Sequence, residues 1–253
     1  MDLGLCDRAY VVTGGTKGLG RASAEALVGD GARVVVSSRS QESVDAAVTA
    51  LQQHAASPDH VRGVAADNAD PATPDRLVHT ALDAFGRLDG ALLSVGGPPG
   101  TDPLGATDEQ WQAAFESVFM GVVRTVRAVL PHLGDGAAIG LVLSTSVKSP
   151  VAGIEISSGL RPGLAMWAKH LADDVGARGV RVFSLLPGRI LTDRMTSLMP
   201  DPAARDRLAQ TIPLRRMGEP AEFGRVAAFL LSPAASYLTG LAVPVDGGAL
   251  RTL

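Results

Sequence analysis

Tyrosine, lysine and cysteine are all scarce in this chain of 253 residues. Its one cysteine, Cys6, excludes a disulfide within the chain and suits a reducing compartment. Cys6 reads as an inert small hydrophobe rather than a nucleophile. Only two tyrosines, Tyr10 and Tyr237, and three lysines, Lys17, Lys148 and Lys169, are present. Chemistry that needs a phenol or an amine therefore has few candidates. Aromatic residues make up 4% of the chain against 46% apolar residues, so Ala, Val and Leu must build the core, as where helices pack closely on a parallel sheet. No apolar run approaches the ~20 residues of a membrane span. Met1-Asp2-Leu3-Gly4 lacks the basic stretch and apolar segment of a secretory leader. A cytoplasmic protein with no membrane contact is expected. A net charge of −3 and a pI near 5.9 give no electrostatic case for nucleic acid. No His, Cys, Asp or Glu cluster has metal-ligand spacing, so no metal site is expected. Neither a linker-like segment nor an internal repeat is present, and residues 1–253 read as one domain.

What is present is alternation. Short apolar, β-branched or Leu-rich runs at 9–13, 33–38, 61–65, 88–94, 138–144, 180–186 and 241–245 read as strands covered on both faces. Between them, amphipathic stretches at roughly 18–29, 41–54, 73–85, 107–132, 161–176, 202–211 and 219–231 read as helices. Thr107 before Asp108-Glu109-Gln110 predicts a capped helix start, Pro220 suits a first turn, and Gly31 and Gly86 suit helix ends. The alternation predicts an α/β fold, a single-domain Rossmann-like doubly wound parallel sheet of about seven strands with helices on both faces. Residues 187–201 form the longest irregular segment, a candidate lid; its Ile190, Leu191, Met195, Leu198 and Met199 suit either a pocket cover or a subunit contact.

The apolar run Ala9-Tyr10-Val11-Val12 leads into Thr13-Gly14-Gly15-Thr16-Lys17-Gly18-Leu19-Gly20. A Gly-rich turn between a first strand and a first helix is an anion site: glycines admit a pyrophosphate to the backbone, and the helix start offers free N–H groups. Gly14, Thr16, Lys17, Gly18, Leu19 and Gly20 are therefore candidate cofactor contacts. The second strand ends in Ser37-Ser38-Arg39-Ser40, where NAD sites usually place an acid for the ribose hydroxyls. Ser38 and Arg39, with Lys17 opposite, suit a 2′-phosphate, which favours NADP(H) over NAD(H); otherwise both cations are solvated surface groups. Asp67 and Asn68, after the third strand, are candidates for the adenine, and Asp67 reads equally well as a turn residue.

These motifs resemble the short-chain dehydrogenase/reductase family, in the branch with the 3-oxoacyl-carrier-protein reductases. The resemblance takes in the Thr13–Gly20 turn, Leu92-Leu93-Ser94-Val95-Gly96-Gly97 where the family has Asn-Asn-Ala-Gly, and Leu186-Pro187-Gly188 with Thr192. It continues through Arg216-Met217-Gly218-Glu219-Pro220 and Ser236-Tyr237-Leu238-Thr239-Gly240 to Val245-Asp246-Gly247-Gly248. It implies a seven-stranded Rossmann-like domain, a homo-oligomer (tetramer or dimer), and a small-molecule alcohol or carbonyl substrate. It also implies that Gly96, Pro187, Gly188, Ile190 and Thr192 lie near the nicotinamide.

The family's chemistry uses an Asn, a Ser and a Tyr with a Lys four residues on. The resemblance places the Tyr position at Ser157, the Lys position at Arg161 and the Asn position near Val118. Ser144 and Ser146 compete for the family's serine: Ser146-Val147 matches the local pattern and is favoured, whereas Ser144 has the usual separation from Ser157. Arg161 keeps its charge and can hold ribose hydroxyls, but it is a poor proton donor. Ser157 or Ser158 could relay a proton through water, and Lys148 could act as the acid if burial lowered its pKa, the alternative being a solvated loop lysine. Pro162 is best accommodated in a first turn, so the helix is predicted to begin near Leu160–Arg161. The chain is similar to divergent homologues with Ser-x-x-x-Arg in place of Tyr-x-x-x-Lys and with a stretch like Gly96-Gly97-Pro98-Pro99. The expected activity is an NADP(H)-dependent oxidoreductase. The alternative is a catalytically silent NADP(H)-binding sensor or oligomer subunit. Elimination or isomerisation in the same pocket has no residue in its favour.

Overall fold

The computed structural model describes residues 2–98, 100, 102 and 104–252. Seven strands, β1 (Ala9–Thr13), β2 (Arg33–Ser38), β3 (Val61–Ala65), β4 (Gly90–Ser94), β5 (Ala138–Val142), β6 (Arg181–Pro187) and β7 (Leu241–Val245), form one parallel sheet in the order β3-β2-β1-β4-β5-β6-β7. Val12 stands beside Val36 on one side and Leu92 on the other. The helices are α1 (Gly18–Gly29), α2 (Gln41–Gln52), α3 (Thr73–Phe85), α4 (Asp108–Ala114), α5 (Gly121–Val129), α6 (Glu155–Val175), α7 (Asp193–Leu198), α8 (Pro202–Ala209) and α9 (Pro220–Leu231). Among the described residues no helix is long and apolar enough to cross a membrane.

Side-chain alternation along each strand separates two cores. Ala9 and Val11 of β1 pack with Leu93, Ile139 and residues of α3, α5 and α6; Tyr10 and Val12 pack with Leu92, Phe183 and residues of α1 and α9. With so few aromatics, Val, Leu and Ala fill both layers. The expected fold is therefore present, and its strand limits fall within two residues of those read from the sequence.

Four local expectations need correction. The helix expected from 107 to 132 is interrupted: α4, capped by Thr107 and Gln110 as predicted, runs into a π-helical turn over Phe115–Met120 before α5 begins. The irregular segment 187–201 contains α7. Cys6 is exposed rather than a packed hydrophobe. Finally, α6 starts at Glu155, not near Leu160, and Pro162 sits inside it. The preference of proline for a first turn is overruled by packing one turn earlier. Ile156 and Ser157 are buried there, and Gly153 donates its backbone N–H to Glu155 Oε1 at 2.8 Å.

The end of α9 is held by a residue with no local sequence signal. Arg181, buried at the start of β6, donates to the carbonyls of Leu230, Leu231 and Ser232 at 2.7, 3.3 and 2.8 Å. Tyr10 donates its hydroxyl to the Leu231 carbonyl at 3.3 Å, and burial pushes its phenol up to about 12. A cation at a helix C-terminus meets both the orphan carbonyls and the negative end of the helix dipole. Arg181→Met fills the space but leaves those carbonyls without donors. It is expected to lower unfolding free energy by about 3 kcal/mol, read from the urea midpoint at neutral pH; a midpoint within error of the parent would refute this account of α9.

Candidate functional site

Between β1 and β4 the strand order reverses, and open parallel sheets bind ligands in the crevice beyond their carboxyl ends at such a point. Here that edge opens into a cavity of about 920 Å³, with walls from the ends of β1, β2, β4, β5 and β6. Its first wall is the Gly-rich turn. Gly14 has φ +57°, and a Cβ there would fall on the Ser94 carbonyl oxygen. A Cβ on Gly20 would strike the Gly14 carbonyl. Only glycine lets the turn lie this close to β4 and to the first turn of α1. The start of α1 has no side-chain cap, and Lys17, Gly18 and Leu19 line the cavity. Its unpaired amides and positive end thus face space that suits an anion. Gly14, Thr16, Ser38 and Arg39 line the same cavity, as do Gly96, Pro187, Gly188, Ile190 and Thr192.

Three residues expected near a cofactor are not among the lining residues. Gly20 acts in the packing of the turn. Asp67 is exposed and accepts the Ala69 N–H at 3.0 Å, a turn contact. Asn68 lies against Gly121, where a Cβ would meet its carbonyl oxygen.

Arg161 forms the floor on the β4–β5 side. Its Nε donates to Ser157 Oγ at 2.8 Å, one guanidinium nitrogen to the Val142 carbonyl at 2.7 Å and the other to the Val95 carbonyl at 3.1 Å. The i, i+4 spacing on α6 creates the Ser157 contact, which is a second reason that Ser157 belongs to the helix. Arg161 is 5% exposed, and its acceptors among the described residues are uncharged. Burial, with the like charge of Arg194 second, pushes its pKa down to about 10. It therefore remains a cation at neutral pH.

Ser144 and Ser157 line the cavity with Arg161, whereas Ser146 does not. Ser144 Oγ accepts the Ser146 N–H at 3.1 Å; Ser146 Oγ is buried with no hydrogen-bond partner among the described residues, as is Ser158 Oγ. Lys148 is exposed and outside the lining, so it lacks the burial that the lysine-acid reading required. Val118 is 1% exposed in the π-helical turn, a local irregularity common at functional sites. Both Tyr10 and Tyr237 are absent from the lining.

The sequence reading missed Arg194. From α7 it donates to the carbonyls of Gly97 and Pro98 at 2.9 and 2.8 Å, joining the 187–201 segment to the loop after β4. Pro99, the end of the Gly-Gly-Pro-Pro stretch, lies outside the described residues. The only available signal was the position of Arg194 inside the segment read as a lid.

A family model described as enoyl-(acyl carrier protein) reductase matches residues 14–249. Dehydrogenase/reductase SDR family member 4 of Oryctolagus cuniculus is 34% identical over 97% of this chain and 94% of that protein. L-rhamnose 1-dehydrogenase (NAD(P)(+)) of Azotobacter vinelandii is 32% identical over 98% of this chain and 99% of that protein. The structure of L-sorbose reductase from Gluconobacter frateurii, complexed with NADPH and L-sorbose, superposes with a TM-score of 0.93 at 30% identity, covering 100% of both chains.

Two glycines of α1 provide an internal comparison. Gly29 has nothing within 4 Å of an added Cβ, whereas Gly20 meets backbone. Gly29→Ala is expected to stabilise by up to about 1 kcal/mol through helix propensity. Gly20→Ala is expected to destabilise by about 2 kcal/mol or more through overpacking. Thermal unfolding of both variants checks this, and equal shifts would refute the close packing of the turn.

Proposed function

Since the chain belongs to the short-chain dehydrogenase/reductase family and is an oxidoreductase of alcohol or carbonyl substrates, we propose that its cavity takes NADP(H) in preference to NAD(H) and transfers hydride between that cofactor and a small carbonyl or alcohol. The observation that carries the cofactor choice is the pair Lys17 and Arg39 in one cavity wall, with no acid at the end of β2. Two cations there favour a 2′-phosphate, and a ribose 2′-hydroxyl would lack its usual carboxylate partner. The uncapped amides of α1 receive the pyrophosphate, while Gly14 and Gly20 let the turn pack closely enough on β4 and α1 to present them. Gly96, Pro187, Gly188, Ile190 and Thr192 form the nicotinamide end.

Bound NADPH supplies a hydride; the protein supplies position, charge and a proton. Ser157 and Arg161 stand where the family has its Tyr and Lys. Arg161 takes over the grip on the ribose and adds fixed positive charge. Ser157 Oγ accepts the Arg161 Nε–H, so its own O–H is free to donate. The neighbouring cation makes that hydroxyl a stronger donor than a free serine. It passes a proton from water to the substrate oxygen, and Ser144 holds that oxygen from the end of β5. A serine remains a weaker acid than a tyrosine held beside a lysine. Turnover is therefore expected to be below that of a Tyr/Lys enzyme by roughly 10²–10⁴, with the contribution of orientation retained.

Calorimetry with NADPH and NADH, followed by NADPH consumption over ketones, ketoses and 3-oxoacyl thioesters, tests this. NADPH is expected to bind at least tenfold more tightly than NADH, and Arg39→Ala to remove most of that difference. Binding of NADPH without its oxidation on any substrate would replace this reading with that of a silent NADP(H)-binding homologue. No binding of either nucleotide would end both.

A further inference from the structure

The cavity is strongly cationic in a protein of net charge −3. Lys17, Arg39, Arg161, Arg189 and Arg194 line it, against one lining carboxylate, Asp193, among the described residues. The cofactor proposed above accounts for Lys17 and Arg39. Arg161 of α6 grips the ribose and leaves its charge facing the cavity, but the cofactor does not account for the guanidinium groups contributed by the end of β6 and by α7.

Arg161 and Arg194 are the informative pair. Neither has a carboxylate in contact among the described residues; Arg161 donates to two carbonyls and a hydroxyl, and Arg194 to two carbonyls. A guanidinium carries five N–H donors, so each retains donors beyond those used. Two cations facing one cavity repel, and an anion placed between them relieves that cost and the desolvation of Arg161. Arg194 is exposed as well as lining the cavity, and it bridges α7 and the loop after β4. The cavity also has apolar lining in Val151, Ile154, Met195 and Leu198. A planar guanidinium fork fits a carboxylate bidentately, and the aliphatic wall fits a hydrocarbon chain.

We propose that the substrate is an aliphatic oxo acid, or the matching hydroxy acid, whose carboxylate is held by Arg194 and attracted by the charge of Arg161 across the cavity, and that Arg194 sets this specificity. The inference rests on the oxidoreductase reading above and narrows its substrate to a class that neutral sugars do not represent. In the reductive direction hydride adds to the ketone carbon and the C=O π pair moves onto oxygen. That oxygen takes a proton through Ser157, and NADPH becomes NADP⁺. The carboxylate is unchanged throughout.

The test compares a medium-chain oxo acid with its methyl ester and with the ketone lacking the carboxylate, all with NADPH at fixed ionic strength. For the parent protein, kcat/KM for the acid should exceed that for the ester by at least tenfold, mainly through KM. In R194Q the acid-to-ester ratio should fall about tenfold, and R194K should recover part of it. A second arm needs no turnover: hexanoate should bind to NADP⁺-loaded protein in calorimetry, and hexanamide should not. Equal use of acid and ester, or a ratio unmoved in R194Q, would overturn the proposal and leave the oxidoreductase reading standing. If NADPH binds and no substrate is reduced, the oxidoreductase reading falls. The hexanoate arm then decides this one, and absence of hexanoate binding would overturn it.

Discussion

Burying the Arg161 guanidinium against Val95, Val142 and Ser157, with no carboxylate in contact among the described residues, joins three elements into one site. The carbonyls come from the ends of β4 and β5, where strand order leaves backbone acceptors facing the crevice, and the hydroxyl comes from α6. A neutral side chain could fill the same volume, but it would leave the two carbonyls without donors. A lysine would keep the charge, but its single ammonium lacks the planar fork that reaches three acceptors in different directions. The cost of desolvating a cation is accepted here without a counter-ion. This is the kind of local conflict that folded proteins tolerate where a ligand completes the environment.

The framework was legible because its signals are local. A strand covered on both faces needs a continuous apolar run, and a backbone that passes close to another backbone needs glycine. Gly14 and Gly20 advertise their contacts in the sequence because no other residue avoids the Ser94 and Gly14 carbonyls. Thr107 and Gln110 likewise predicted their own reciprocal cap. Features that depend on partners far along the chain were not legible. Arg181 finds its acceptors only at the end of α9, about fifty positions further along the chain. Pro162 looked like a helix start because the rule for proline is local, whereas the burial of Ile156 and Ser157 and the contacts of Arg161 with Val142 and Val95, which go with the earlier start, are tertiary. The π-helical turn at Phe115–Met120 has no compositional mark at all.

The same distinction separates the two halves of the candidate site. The residues expected at a nucleotide end that line the cavity, such as Gly14, Lys17 and Arg39, lie around one turn and one strand end, where local spacing brings them together. The reacting half is assembled from β4, β5, α6, β6 and α7. Local pattern favoured Ser146 while the cavity wall contains Ser144, because the two hydroxyls differ by the direction of the chain leaving β5, not by neighbours in sequence. Arg194 was hidden for the opposite reason: it sits in a segment whose apolar residues drew attention, and its partners, Gly97 and Pro98, are nearly a hundred positions earlier.

Charge explains how carbonyl reduction could proceed without a phenol in the cavity. A tyrosine in this fold would donate a proton as oxygen gains electrons; its absence matters less if the oxygen can carry charge for longer. Arg161 is a cation facing this cavity, and a fixed charge aimed at a developing oxyanion needs no reorganisation as it forms. Hydride transfer can then run ahead of proton transfer, with Ser157 and water completing the step afterwards. The same charge that attracts an anionic substrate would thus carry part of the burden of the missing acid. This couples specificity to rate: a neutral carbonyl forfeits both the contact with Arg194 and the placement that brings its oxygen under Arg161. Substrate choice and the substitution of Ser and Arg at these positions are, on this argument, two consequences of one electrostatic arrangement.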